Sequence, residues 1–270
     1  MEKFYDYYAR CNANYNMYIK ISIKHYLDAK LFYDYLCQEQ SNFLSNNNWI
    51  TESLVVSETF VAFAIESFFN DYIAICFGDE VFFKQYVMLS AIQKLQLISE
   101  KKFNKLISQD DEVYKTINKV FLLRDKYAHN KSSDIFTKFK EQNIFSIISL
   151  EDQRLEYSDK YIDDNIIIKK AFSYSKKHLL GDMNNALESL IALAKLSYYI
   201  DDNDDEINAK VKFFRFISDD IDNAYEKTPT QFINDIIDKL YHLIKSNNVL
   251  KHMAEKIDSY NKIMYNYIDK

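Results

Sequence analysis

VYKTINKVFLLRDKYAHNK, residues 113–131, is the stretch whose periodicity decides the fold. With Val113 at zero and about 100° per residue, Ile117, Val120, Phe121 and Ala128 share one apolar side of a helix. Arg124 falls in the middle of that side, at about 20°. An unpaired guanidinium in a dry site costs several kcal/mol or more. Arg124 is therefore expected to be neutralised by an internal acid, or to open onto a cleft or subunit interface. Asp125 and His129 are four residues apart, at about 120° and 160°, close enough for the carboxylate to orient the imidazole.

Composition extends the helical reading to the whole chain. Two glycines and one proline in 270 residues leave too little turn chemistry for a sandwich, a barrel or a glycine-loop nucleotide fold. The 48% of hydrophobic residues suffices for a sizeable core. The fold class expected is all-α. Lys, Asn, Ile, Tyr and Phe abound together, so the 22 tyrosines do not by themselves imply a binding surface.

A net charge of -6 argues against a general nucleic-acid binder, yet the balance is uneven. Seven basic residues (115, 119, 124, 126, 131, 138 and 140) face only Asp125 and Asp134 between positions 115 and 140. Cys11, Cys37 and Cys76 have no metal-ligand spacing and fit a reducing compartment. The apolar run 60–77 is interrupted by Glu66, Asn70 and Asp71, against a membrane span. A soluble, cytoplasmic protein is expected.

Around the central stretch, residues 3–45 read as one long helix or a broken pair with an aromatic stripe, better suited to a core or interface than to base stacking. Ser45 to Asn48 reads as a loop, followed by a helix capped at Thr51 and closed by Gly78. That helix is apolar almost all round and should be the central buried one, save for a strip of Thr59, Glu66 and Asn70. Asp79 would cap a short segment, 88–103 would form a second core helix with Lys94 a phosphate contact or, better, an ordinary solvated lysine, and 108–111 would turn into the Arg/His helix.

Beyond it, 132–180 reads as an irregular insertion, in which 143–150 and 161–172 are short strands or buried helical turns. Asp182 would cap a closing helix, 183–200. The acidic run 201–206 lacks the glycine and terminal glutamate of a calcium loop and reads as a solvated linker capping the next helix. Helices are expected at 207–225, 229–246 and 249–268, the middle one opened by a capping box on Thr228 and Gln231 with Pro229 at its first position. His25, His242 and His252 have no acid or cysteine frame for a ligand role. The organisation expected is an N-terminal extension (1–50), a bundle (51–200) and C-terminal helices packed on it (201–270).

In this order, the AIESFFN segment (64–70), the glycine break, the second helix, the acidic turn and the helix ending in Arg124, Asp125, three residues, His129 and Asn130 resemble the HEPN superfamily over about residues 51–131. The resemblance implies an up-and-down helical bundle and a metal-independent endoribonuclease, without cofactor. Such chemistry directs the substrate's 2′-hydroxyl at the adjacent phosphorus, giving a 2′,3′-cyclic phosphate and a 5′-hydroxyl. On that reading His129 is the general acid/base and Arg124 stabilises the phosphorane oxygens. Asp125 holds the imidazole tautomer. Glu66 partners Arg124, with Asn70 beside it. Asn130 contacts phosphate or base, and Lys119, Lys126 and Lys131 draw RNA in.

Arg124 and His129 are separated by about 140° on a regular helix, so the resemblance also implies a homodimer with both motifs at its interface. A toxin or anti-phage effector held by an antitoxin or defence partner would fit. The alternative is a non-catalytic HEPN-like interaction module, in which the same residues form a structural polar cluster. HEPN toxins controlled by a nucleotidyltransferase antitoxin typically carry Tyr two residues after the histidine; Lys131 stands there instead, and Tyr127 precedes the histidine.

Overall fold

The computed structural model describes residues 14–38, 43–128, 164–206, 209–214 and 227–246, and every regular element among them is helical. In chain order these are α1 (Tyr15–Gln38), α2 (Phe43–Phe77), α3 (Asp79–Val81) running into a π-helical turn (Phe82–Tyr86), α4 (Ala91–Lys101), α5 (Glu112–Ala128), α6 (Asp164–Asp201), α7 (Ala209–Phe214) and α8 (Pro229–Ser246).

α2 and α6 form the centre of the bundle. The stretch Trp49–Phe77 is long and apolar enough to cross a membrane by length and composition, and 56% of its most apolar 18 residues are buried inside the protein, as suits a core helix. α1 lies antiparallel along α2, with Tyr15 against Phe68, Tyr18 against Phe60, and the Ser22 hydroxyl donating to the Ser57 carbonyl at 2.8 Å. α5 fits between α2 and α6 and runs antiparallel to both. The apolar side read from the sequence is the side it buries: Val113, Ile117, Val120 and Phe121 are in the core, while Leu122, about 180° from Val113, is 62% exposed.

Of the expected aromatic stripe, Tyr15 and Tyr26 are core and Tyr18 and Tyr35 pack half-buried against it, while Phe4, Tyr7 and Tyr8 lie outside the described residues. Phe68 meets Phe213 edge to face at 4.5 Å, and Phe214 meets Phe232 the same way at 5.0 Å, tying α2, α7 and α8 together. The Tyr241 hydroxyl on α8 donates to Asp34 on α1. The described helices at both ends of the chain thus share one hydrophobic core with the bundle.

Several expected boundaries move. α2 starts at Phe43, so the run 45–48 is helical instead of a loop, Thr51 is not a cap, and the proposed division at residue 50 falls inside a helix. Ser and Asn cost a helix only about 0.5 kcal/mol each, and no glycine or proline interrupts the run; Ile50 and Leu54, fully buried one turn on, favour its continuation. Likewise α6 begins at Asp164 and passes through Gly181, so 164–180 is neither strand nor insertion, and Asp182 lies within the helix instead of capping one. One internal glycine costs about 1 kcal/mol, less than the burial of Leu179, Met183 and Ala186 beside it returns.

Gly78 closes α2 as expected: its φ of 89° lies in the left-handed region that glycine adopts freely, and its N–H bonds the Ala74 carbonyl at 2.9 Å. Gly78, not Asp79, holds the cap position of α3. α4 is shorter than its sequence pattern; Ser90 and Gln93 form a capping box and leave Met88 outside, 92% exposed. α8 keeps the expected bounds and its Thr228–Gln231 capping box.

The acidic run after α6 is only partly solvated. Asp201 caps α7 at the Ala209 N–H, but Asp204 is buried, accepting from the Tyr72 hydroxyl and, at 3.0 Å, from the Glu206 N–H. The expected helix at 249–268 and the segment 143–150 lie outside the described residues, as does Cys11; Cys37 and Cys76 are free thiols.

Candidate functional site

α5 carries Arg124 onto α2 because its apolar face must be buried, and Arg124 sits within that face. The guanidinium lies over the Phe121 ring, 4.8 Å from its centroid, where cation–π attraction offsets part of the lost hydration. Its Nη1 donates to Glu66 Oε2 at 3.3 Å, and Nε and Nη2 both donate to Asp125 Oδ1, at 3.0 and 2.8 Å. The Arg124 side chain keeps 26% of its surface in solvent, so it is neutralised without being sealed in. Glu66, expected as its partner, is one of two acids beside it, and Asp125 makes the two shorter contacts. Asp125, assigned from the sequence to the imidazole, turns Oδ1 to the guanidinium; the imidazole itself lies outside the described residues.

Glu66 also has Lys94 of α4 near it. Lys94 is only 1% exposed, against the expectation of a solvated lysine. Burial lowers its pKa, and the Glu66 carboxylate pulls it back up. One turn on from Glu66, the Asn70 Oδ1 is buried and accepts no hydrogen bond.

The basic residues assigned to RNA are arranged differently. Lys119 and Lys126 stand about 140° and 160° from Arg124 around α5. Lys119 is paired with Glu188 of α6 and lines a groove of about 380 Å³ with Lys115 and Lys195. Two of those lysines also have acids, Asp110 for Lys115 and Glu112 for Lys195. Lys126 is exposed, its ammonium 5.6 Å from the Tyr127 ring centroid. His129, Asn130 and Lys131 lie outside the described residues. Among the described residues no group of three or more His, Cys, Asp or Glu could hold a metal ion.

A second acid on α2 was missed. Glu58 is 1% exposed, and neither carboxylate oxygen accepts a hydrogen bond of normal geometry. It faces Tyr127, Lys126 and Lys119 of α5 and Asp182 of α6. Burial pushes its pKa up to about 7, with Asp182 adding to the rise and Tyr127, Lys126 and Lys119 opposing it. Burial likewise raises Asp182 and Tyr127. The signal was present in the sequence: with Leu54 at zero, Glu58 stands at about 40°, on the apolar side and away from the strip of Thr59, Glu66 and Asn70.

No protein-family model matches the chain, and no curated protein or solved structure matches it.

Proposed function

We propose that this chain is a HEPN-type, metal-independent endoribonuclease, acting in the cytoplasm as a toxin or anti-phage effector. The observation that carries the reading is the Arg124–Glu66 contact, 3.3 Å across two helices. It joins the two segments whose residues carry the resemblance, and leaves the guanidinium partly in solvent, where a phosphate can reach it. In the reaction the 2′-oxygen bonds to phosphorus and the bond to the 5′-oxygen breaks. The 2′-hydroxyl proton passes to a base, and an acid returns a proton to the departing 5′-oxygen.

His129 fills the acid and base roles, since imidazole titrates near neutrality. Arg124 stabilises the extra negative charge on the phosphorane through its planar fork. The 140° between the two on a regular helix is resolved by a homodimer with its motifs face to face. Lys119 and Lys126 are both exposed, but Lys119 is paired with Glu188, which leaves Lys126 the better placed of the two to contact RNA backbone. Asn130 and Lys131 extend the RNA contacts, Asn70 supports Glu66, and an antitoxin or defence partner holds the enzyme silent.

The second reading, a non-catalytic helical interaction module, is favoured by a separate observation: Arg124 donates three hydrogen bonds to two carboxylates. A phosphate would be left two of the five guanidinium N–H groups and would meet the two carboxylates already paired there. Cleavage of total RNA in EDTA by wild type, Arg124→Ala and His129→Ala decides between the two. Cleavage by wild type alone, leaving cyclic phosphate ends, supports the nuclease. Three folded proteins that all leave RNA intact support the module.

A further inference from the structure

Two cavities follow one another along the seam between α5 and α6, with the start of α8 at the edge of each, and Lys195 lines both. One, of about 380 Å³, is basic: Lys115, Lys119 and Lys195 line it against a single lining acid, Glu188. The other, of about 300 Å³, is aromatic and acidic, with Tyr198 and Tyr199 beside Asp111, Glu112 and Asp202. Both tyrosine rings are half-buried and held in place. The Tyr198 hydroxyl donates to the Lys227 carbonyl at 2.8 Å, the Tyr199 hydroxyl bonds that of Ser99 at 2.6 Å, and the Lys105 ammonium lies 5.7 Å from the Tyr199 ring centroid. The proposed catalytic side of α5 uses none of this. Lys115 and Lys119 stand about 180° and 140° from Arg124 around the helix.

We propose that this seam binds a nucleoside phosphate, with the phosphate among Lys115, Lys119 and Lys195 and the base at the Tyr198–Tyr199 end. Three ammonium groups lining one hollow suit an anion of more than one charge. Their acids do not close it. Asp110 and Glu112 hold Lys115 and Lys195 at 3.2 and 2.8 Å, but those carboxylates are 96% and 78% exposed, and the Glu188 paired with Lys119 is 55% exposed. Pairs so open to water are weak, and a phosphate oxygen replaces a carboxylate in them at little cost. At the other end the fixed phenol rings offer a base a flat apolar surface. The acids beside them accept hydrogen bonds from the amino group that cytosine, adenine and guanine carry and uracil lacks. The order of groups along the seam thus matches the polarity of the ligand, and Lys195 stands at the junction. Together the two hollows fall within the range of small-ligand sites, about 300–1,000 Å³. The site is independent of the nuclease reading, and either a free nucleotide or one residue of an RNA strand supplies its chemistry.

Calorimetric titration of the full chain with CMP, cytidine, UMP and a short 2′-O-methyl oligocytidylate, which a 2′-hydroxyl attack cannot cut, tests the site whether or not the chain is a nuclease. Wild type is expected to bind CMP about tenfold more tightly than cytidine, the value of a charge-assisted contact. It is also expected to prefer CMP to UMP, whose base has the same size without the amino group. Lys115→Gln and Lys119→Gln, both at exposed positions, are expected to erase the advantage of CMP over cytidine. Asp202→Asn, also exposed, is expected to reduce the advantage of CMP over UMP. Arg124→Ala is expected to bind as wild type does. An oligonucleotide bound no more tightly than CMP assigns the site to free nucleotides. One bound more tightly, and weakened by the same lysine variants, assigns it to RNA. No binding of CMP or the oligonucleotide, no preference for CMP over cytidine or UMP, or binding that both lysine variants leave unchanged would overturn the site.

Discussion

Nη1 of Arg124 and Oε2 of Glu66 lie 3.3 Å apart, 58 positions distant in sequence and on facing helices. Both side chains are partly exposed, 26% and 38%, so solvent screens much of the attraction. A double-mutant cycle with Glu66→Gln and Arg124→Met, read by urea unfolding, is expected to give a coupling of about 0.5–1 kcal/mol. A coupling near zero would mean that Asp125 alone holds the guanidinium.

Arg124→Lys separates charge from geometry. A lysine ammonium is a single point donor and cannot serve Asp125 and Glu66 together through a fixed fork. On the nuclease reading proposed above, the variant is expected to remain folded and to cleave RNA about a hundredfold more slowly than wild type, the scale for losing a positioned transition-state donor. Near wild-type cleavage by Arg124→Lys would show that charge alone suffices there.

The helical class was legible because two glycines and one proline leave few places to end a helix, and the same scarcity explains the misplaced boundaries. The reading broke helices at residues 45–48 and at Gly181 on local preference, where continuation through each site costs little beside the burial that follows it. On α5 the 3.6-residue period gave the buried face and the position of Arg124 correctly, since both depend on one helix. Which acids meet which bases depends on how helices pair. Hence Glu66 could be guessed from its place in the frame, whereas the pairing of Lys119 with Glu188 and the enclosure of Lys94 and Asp204 could not. Glu58 was readable as an acid on an apolar face; what it touches was not.

Tyr72 and Asp204 tie α2 to the end of α6. The hydroxyl donates to Oδ2, Asp204 is 6% exposed, and Lys102 stands 3.7 Å away. Burial and the carboxylate together hold the phenol above the usual tyrosine range. Tyr72→Phe keeps the ring contacts with Phe68 and Phe103 but leaves a buried carboxylate short of a donor. A loss of about 1–3 kcal/mol in urea unfolding is expected. A loss below a few tenths would assign Lys102 the dominant share.

Lys94 should weaken the fold at neutral pH. Its folded pKa is depressed, by burial first, so the unfolded chain holds the proton more tightly. Stability therefore rises with pH as Lys94 loses its proton in the folded state, and falls again on acidification. Lys94→Met fills similar volume without the charge, and is expected to raise stability by about 1 kcal/mol at pH 7. The advantage should narrow toward alkaline pH. A variant less stable than wild type would show that the Lys94 attraction to Glu66 outweighs the desolvation.

Glu58 predicts the opposite slope. Its ordinary value is 4.5 and its folded value about 7, so between those limits the folded protein holds a proton that the unfolded chain has released. Stability arising from this group is fully present below about 4.5 and is lost as pH rises to about 7, after which the difference is constant. The shift corresponds to a loss on the order of 3 kcal/mol. Glu58→Gln, shaped like the neutral acid and unable to ionise, should match wild type near pH 4.5 and exceed it by that amount at pH 8. Urea midpoints of the two proteins at four values between pH 5 and pH 8 measure this, because the other carboxylates titrate alike in both and cancel. A gap that does not change with pH would mean that Glu58 already finds its compensating charge while folded, with Lys126 and Lys119 the cations that favour its ionised form.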